Sequence, residues 1–516
     1  MTTKSIIYLV VFVIYFGFII ITSIQSSKKV ETMSDFTTGG NKMGLLLGVG
    51  TSMATWLSVA SVMGVPGNIY SRGVCAVFGW VGGWFLATGL MPLVAYKIRR
   101  PEVPSRTFPE FMRTRYDPYT EKSPIQIFSA VIELVGYFVF SYIQIQGFGI
   151  VFSTLTGVPY AIACLFFMVL LIFTCMGGFE SVAATDTLNA CLILVGVIAA
   201  MVAVLTECGG IGAIFQNFAT TTAPTTVGGE PLVAGILGTN WGTLGASVCI
   251  SYFLSNCFGS TVAPHWVSRF MAPRNAKTAA LQMFLVMVAL IAVFVPLITI
   301  GMGGKMLMPS LPEGVTSDYM FPRLIMDHIN PVLGALALTA ICAAAVSTAN
   351  SMLLHCSTSL IYDIKRVLKG GEASEEEDAK TTKQLRVTIL SLGVIAVICA
   401  IGQFSLLADG FTYVYGAFGS MFFASIWLGL YVKRMNKEAA FASMIVGLIA
   451  YIYCMVAGSP FGLPAFIVSC GLSLVAAVVG ILVGKKPPLE AYESYFSDHV
   501  SAKTIEIAHK IRKDVV

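Results

Sequence analysis

Apolar stretches of roughly 20 residues recur along the whole chain, each long enough to cross about 30 Å of hydrocarbon. Thirteen can be marked, near residues 5–24, 44–69, 74–96, 126–154, 158–176, 187–206, 241–262, 280–301, 331–361, 386–404, 412–432, 438–457 and 464–484. Lipid offers no hydrogen bonds, so each segment has to satisfy its own backbone polar groups. Only helices and closed barrels do that, and runs of this length select helices. Apolar residues make up 56% of the 516 residues and charged ones 11%, with a mean hydropathy of +0.80. A soluble domain carries about twice that charge. The expected fold is therefore an all-α polytopic membrane protein with thirteen membrane helices. Residues 1–486 would form one membrane domain and residues 487–516 a tail.

The basic residues fall on alternate connections. One side holds Lys28, Lys29 and Lys42, then Lys97, Arg99, Arg100, Arg106, Arg113, Arg115 and Lys122, then Arg269, Arg274 and Lys277. It continues with Lys365, Arg366, Lys369, Lys433, Arg434, Lys437, Lys485 and Lys486. The other side keeps Lys4, Arg72, Lys305 and Arg323, and its longest loop, Glu207 to Asn240, has neither Lys nor Arg. Cytoplasmic loops collect Lys and Arg. The N-terminus is thus expected outside and the C-terminus in the cytoplasm of a cell (inner or plasma) membrane. This bias accounts for the net charge of +5, leaving no reason to invoke a nucleic-acid partner.

The first span, followed by Lys28-Lys29 with no small-x-small site, reads as a retained membrane helix rather than a cleaved signal. The twelve cysteines show no CxxC spacing and lie almost entirely within spans, Cys208 alone approaching the outer face, as buried small apolar residues do. Residues Gly370 to Lys383 read as a charged flexible linker, with Glu375, Glu376, Glu377 and Asp378 solvated. The tail from Ser501 places Ile505, Ile507, Ala508 and Ile511 near one face, which suits a helix lying on the membrane surface.

Polar residues interrupt this pattern at a few places. Ala343 to Ser351 (AAAVSTANS) lies inside the run from Pro331 to Ile361. Bare hydroxyls there cost several kcal/mol unless partnered, and a dehydrated hard cation, which takes oxygen ligands, is a fitting partner. The second span reads Gly50 to Ser61 (GTSMATWLSVAS), then Met63-Gly64-Val65-Pro66-Gly67. Hydroxyls, Gly and Pro together mark a discontinuous helix whose carbonyls face a cavity. The same residues would also serve close helix packing. A similar stretch, Ser251 to Ser260, lies in the seventh span, five spans later and running in the opposite direction. Broken spans at matching places in two oppositely directed five-span halves are what an inverted repeat predicts, about residues 44–206 and 241–432.

Ordered short motifs carry a resemblance from about Asp35 to Lys437. They are Gly39-Gly40-Asn41-Lys42-Met43-Gly44, the second span, Phe108-Pro109-Glu110-Phe111 with Arg115-Tyr116, and Gly157-Val158-Pro159-Tyr160. Met176-Gly177-Gly178-Phe179 leading to Thr185-Asp186, Arg269, Ser347-Thr348 and Tyr362-Asp363-Ile364-Lys365 follow. In these features the chain resembles the sodium:solute symporter family. The resemblance implies a LeuT-type five-plus-five inverted repeat with one extra helix before it and two after. Thr55 to Ser58, Ser61, Gly64 to Gly67, Gln144, Pro264-His265 and Ala439 to Gly447 are similar to the pantothenate and monocarboxylate branch. Trp56 departs from many relatives there.

Carried over residue by residue, the resemblance implies a Na+ site from the carbonyls of Ala54, Leu57 and Ala344 and the hydroxyls of Ser347 and Thr348. Five neutral oxygens suit a monovalent ion, whereas a divalent one calls for carboxylates. It also implies a second Na+ at Asp186, Ser347, Asn350 and Ser351, although Asp186 could equally cap the start of the sixth span. Trp56, Ser58, Gln144 and Asn256 would face the solute. Glu133 is expected near the cytoplasmic interface, paired with a basic loop, and His265 as a structural residue of such a loop. Tyr413 and Tyr415 fit either a cavity closure or an interfacial aromatic belt.

The function expected is sodium-coupled import of a small carboxylate, with pantothenate or a monocarboxylate as examples, by alternating access. An amino-acid or sugar carrier, a proton-coupled carrier and a transporter-like sensor are the alternatives. An enzyme is not expected, since HExxH, GxSxG and Walker signatures are absent and the five histidines, at 265, 328, 355, 499 and 509, are scattered. The partners expected are the solute and the lipid bilayer, and this chemistry requires no particular oligomeric state.

Overall fold

A computed structural model describes residues 3–27, 37–174, 178–221, 234–370, 375–403 and 407–512. Lys28, Lys29, Asp35, Met176, Gly177 and residues 222–233 of the long loop lie outside the described residues. The long helices are α1 (Thr3–Ser27), α2a (Leu45–Trp56), α2b (Ala60–Arg72), α3 (Val74–Ile98), α4 (Pro124–Thr156), α5 (Tyr160–Thr174) and α6 (Gly178–Cys208). After them come α7 (Ala246–Met271), α8 (Ala276–Leu307), α9 (Pro331–Lys369), α10 (Glu375–Ile401), α11 (Leu407–Tyr431), α12 (Lys437–Ala457) and α13 (Ala465–Val483). Every expected apolar stretch falls on one of them. Among the described residues eleven are long and apolar enough to cross a membrane, and α2a with α2b makes twelve. The apolar part of α5, Tyr160–Ile172, is shorter than the rest.

Local chemistry sets where these helices start and stop. Asn330, just before Pro331, accepts hydrogen bonds from the Val332 and Leu333 amides, and Asn275 and Asn436 cap α8 and α12 in the same way. Gly157, at φ 75°, ends α4 in the left-handed region that favours glycine. Glu375 to Lys383, expected as linker, instead open α10.

Helix α2 breaks after Trp56 and bends by 52°. Leu57 turns to φ −87°, ψ 63°, and residues from Val59 onward return to helical angles. Side chains replace the lost backbone bonds, with Ser61 Oγ donating to the Trp56 carbonyl at 2.5 Å and Gln144 Oε1 of α4 accepting from the Val59 amide at 3.1 Å. The seventh span differs from expectation. Ser251 to Ser260 form unbroken helix, and the interruption falls at Ala263, at φ −62°, ψ 131°. Pro264 explains this, because a proline excludes helical geometry from the residue before it.

Small residues allow α6 and α9 to pack backbone to backbone. A Cβ on Gly196 would lie 2.4 Å from the Leu336 carbonyl oxygen. The outward faces of α1 and α13 carry exposed Val10, Val13, Ile14, Val475 and Leu482, as lipid-facing surfaces do. The tail does not lie free on a membrane surface. Ala502–Arg512 docks on the protein by burying Thr504 and Ile511, Arg512 Nη1 donates to the Pro104 carbonyl, and Arg106 Nη1 donates to the Arg512 carbonyl, both at 2.8 Å. Of its expected apolar face, Ile511 is thus buried by protein rather than lipid.

Candidate functional site

The break in α2 faces the polar stretch of α9. The last carbonyls of a helix lack amide partners, and of those in α2a the Met53 oxygen is taken by the Leu57 amide and the Trp56 oxygen by Ser61. The Ala54 oxygen meets Ser347 Oγ at 3.4 Å, and the same hydroxyl lies 3.4 Å from the Ala344 oxygen. Ser347 thereby bridges two of the other four expected first-site residues. Ala54, Leu57 and Ala344 are fully buried, and Ser347 and Thr348 nearly so.

Thr348 differs from several other hydroxyls of α9. Thr339, Ser357 and Thr358 each return a hydrogen bond to a carbonyl of the preceding turn at 2.8–3.1 Å. Thr348 Oγ1 is buried and has no hydrogen-bond partner. A polar atom held in that way in a membrane protein is expensive, and an oxygen ligand to a small cation resolves the expense.

Beside the break sits a cluster of tryptophans. Trp56 stacks on Trp266 with ring centroids 4.9 Å apart and meets Trp84 edge-on at 6.2 Å. The Trp56 Nε1 and Gln144 Nε2 donors are both buried and without a partner, while Gln144 Oε1 is spent on Val59. Ser58 is buried and offers its carbonyl to the Ser61 and Val62 amides. Asn256 is placed otherwise than expected. Its Oδ1 accepts from Trp84 Nε1 at 3.1 Å, and its Nδ2 donates to the Tyr252 and Gly79 carbonyls. It therefore anchors Trp84 rather than presenting open polar atoms to a solute. Trp84 and Trp266 were not anticipated, since a tryptophan in an apolar span gives no signal separating site from packing.

The expected second ion residues meet a cation already present. Asp186 lies well inside α6 rather than at its start, which removes the capping role. Its Oδ2 accepts from Thr51 Oγ1 at 2.8 Å and lies 3.6 Å from Arg269 Nη2. The same Nη2 donates to Ser351 Oγ at 3.1 Å. Arg269 was assigned to a cytoplasmic loop, but it is 1% exposed and enclosed by Trp266 and Phe179, with its guanidinium carbon 6.0 and 5.9 Å from their ring centres. The break before Pro264 redirects the end of α7 into the protein.

Glu133 also departs from expectation. It is buried and pairs with His355 Nδ1 of α9 at 2.9 Å rather than with a basic loop. His265 is buried too, with Nδ1 2.7 Å from the Tyr137 hydroxyl, so its structural role is kept but its loop setting is not. Tyr415 is buried in the interior and Tyr413 is 41% exposed.

At the end of the molecule away from the tail, Arg72 of α2b makes two hydrogen bonds, at 2.9 and 2.7 Å, to Asp409 of α11. At the tail end, Thr107 Oγ1 and Gln126 Nε2 both donate to Asp363 Oδ1, at 2.7 and 2.9 Å, and Tyr362 donates to Glu110 Oε2 at 2.5 Å. Polar ties thus bridge α2 and α9 to neighbouring elements at both ends of the molecule, with the broken helix between them.

A helix broken at mid-length, opposed by hydroxyls and closed by ties at each end, defines a secondary transporter. The sequence matches the family model described as "Sodium:solute symporter family" over residues 36–447, and the chain belongs to that family of Na+-coupled, multi-pass membrane transporters. It is 25% identical over 491 residues to the osmoregulated proline transporter OpuE of Bacillus subtilis (strain 168), covering 93% of this chain and 96% of that protein. It is 25% identical to the sodium/pantothenate symporter of Haemophilus influenzae (92% and 96% covered) and 26% identical to the sodium/proline symporter of Escherichia coli (strain K12) (93% of each). The fold matches an outward-open Na+-coupled sialic acid symporter with a TM-score of 0.76 at 20% identity, over 93% of this chain and 98% of that one. The transporter MhsT matches at 0.52 and 13% identity, over 88% and 99%. These neighbours establish a LeuT-like architecture.

Proposed function

We propose that the chain imports a small organic carboxylate together with Na+, by alternating access around the break in α2. The observation that carries the ion site is the buried, unpartnered hydroxyl of Thr348 beside Ser347, whose Oγ already spans the Ala54 and Ala344 carbonyls. With the Leu57 carbonyl these supply five neutral oxygens, which suit Na+. The ion would tie α2 to α9 and stabilise the arrangement in which the solute binds.

The carboxylate preference rests on unpartnered donors at the break, Trp56 Nε1 and Gln144 Nε2 among them, which call for an acceptor on the solute. Ser58 would line the same place, with Asn256 acting through Trp84. The pantothenate symporters among the relatives favour a simple carboxylate. The proline transporters favour an amino acid, whose carboxylate the same donors would hold.

In this reading all thirteen apolar segments cross the membrane, α5 included. The N-terminus faces outside and the C-terminus the cytoplasm of a cell membrane, with the basic loops inside. Residues 1–486 form the transporter domain, with inverted repeats about residues 44–206 and 241–432, and residues 487–516 form a cytoplasmic tail. The break in α2 and the interruption at Ala263 in α7 support that symmetry.

The test is uptake by proteoliposomes of radiolabelled pantothenate, lactate, proline and glucose, with Na+, K+ or choline outside. Accumulation of one carboxylate only under an inward Na+ gradient is the expected result. Equal accumulation with all three cations would overturn the symport reading, and uptake of sugars alone would overturn the carboxylate assignment.

A further inference from the structure

We propose that Arg269 is a tethered cation standing in for a second Na+, so that one Na+ accompanies each transport cycle. The inference rests on the Na+-coupled reading above and concerns its stoichiometry. Asp186 and Ser351 are the carboxylate and one hydroxyl that a second ion would require. The two are joined instead by one nitrogen, Arg269 Nη2, at 3.6 Å from Asp186 Oδ2 and 3.1 Å from Ser351 Oγ. A third expected ligand, Ser347, directs its Oγ to the Ala54 and Ala344 carbonyls of the first site.

An arginine guanidinium keeps its charge in proteins. A Na+ bound between Asp186 and Ser351 would sit against that charge with no water to screen it. The pair is also enclosed, with Asp186 0% and Arg269 1% exposed. Thr51 of α2a donates to the same carboxylate oxygen at 2.8 Å, so the tethered cation links α6, α7 and α9 to the broken helix. Asp186 Oδ1 and Arg269 Nε have no hydrogen-bond partners. The contact therefore runs through a single nitrogen, rather than the two-pronged fork that arginine usually forms with a carboxylate.

Equilibrium binding of radiolabelled Na+ to the purified full chain reads this out without knowing the solute. The wild type is expected to bind about one Na+ per chain. Arg269→Gln, which keeps an amide for Ser351 but removes the charge, is expected to bind about two. Adding Asp186→Asn to Arg269→Gln should return the value to one, and Arg269→Lys should keep one. Two Na+ on the wild type, or one on a folded Arg269→Gln that still requires Ser347, would overturn the inference. If Arg269→Gln does not fold, the wild-type stoichiometry alone decides. No saturable Na+ binding by the wild type would overturn both this inference and the symport reading, whereas two would overturn this inference alone.

Discussion

Thr348→Val separates an ion ligand from a packing residue, because it replaces the hydroxyl with a methyl of nearly the same shape. Thr348 Oγ1 is buried and has no hydrogen-bond partner, and without an ion to ligate such a group costs about 1–3 kcal/mol. The substitution should therefore raise the melting temperature in choline chloride, by up to about 1 kcal/mol of stability once imperfect fit is allowed for. In NaCl the sign reverses. One oxygen of five is lost, and an interaction with a charged group contributes about 1.5–3 kcal/mol, so Na+ should bind roughly 10- to 150-fold more weakly. Stabilisation by a ligand grows with the logarithm of its concentration over its dissociation constant. A melting-temperature titration from millimolar to molar NaCl at constant ionic strength would show the curve of Thr348→Val displaced by one to two decades. Thr348→Ser, which keeps the oxygen, should follow the wild type. A Thr348→Val protein with wild-type Na+ half-saturation would refute the reasoning, as would one destabilised without Na+, since the hydroxyl would then be serving the fold.

Gly259→Ala should lower the melting temperature by an amount equivalent to about 1–3 kcal/mol or more, because a Cβ there would lie 2.0 Å from the Tyr415 carbonyl oxygen. Gly471→Ala, with nothing within 4 Å, should leave it unchanged. Arg72→Gln removes the two-pronged tie to Asp409 and should weaken closure at that end by about 1–2 kcal/mol, partial exposure reducing the value for a buried charged pair. The rate at which a membrane-impermeant maleimide labels Cys75, restored alone in a cysteine-free chain, should rise about tenfold, and an unchanged rate would count against the tie. Asp318, on the segment between α8 and α9, is pushed up to about 7 by burial, with the Asp409 charge adding to the shift and the Leu407 amide opposing it. Between the ordinary carboxylate range and pH 7 the unfolded chain has lost this proton while the folded one keeps it. Stability should fall as pH rises across that window, and Asp318→Asn should flatten the fall seen in melting temperatures from pH 4 to 8.

The helices were legible because lipid leaves the backbone so little choice, and each apolar run from residue 5 to residue 484 lies on one. The break in α2 was legible too, since Ser, Gly and Pro crowd its sequence, but its location was not. That depends on Gln144, 85 positions away, accepting from the Val59 amide. Chemistry that a residue obtains from a distant partner was systematically misplaced. Asn256 looks like an open amide until Trp84 is seen to occupy it, and Glu133 looks like a surface acid until His355 is seen 2.9 Å away. Arg269 shows why. In the linear sequence it counts as one more basic residue after an apolar span, which is what positive-inside loops contain. Ala263 must adopt extended angles ahead of Pro264, and that one local rule turns the end of α7 inward. The turn brings Arg269 Nη2 within 3.6 Å of a carboxylate 83 residues earlier in the chain. A membrane interior leaves a buried charge few partners, so wherever Arg269 goes Asp186 must answer it, and the ion chemistry of the site follows from a proline five residues before.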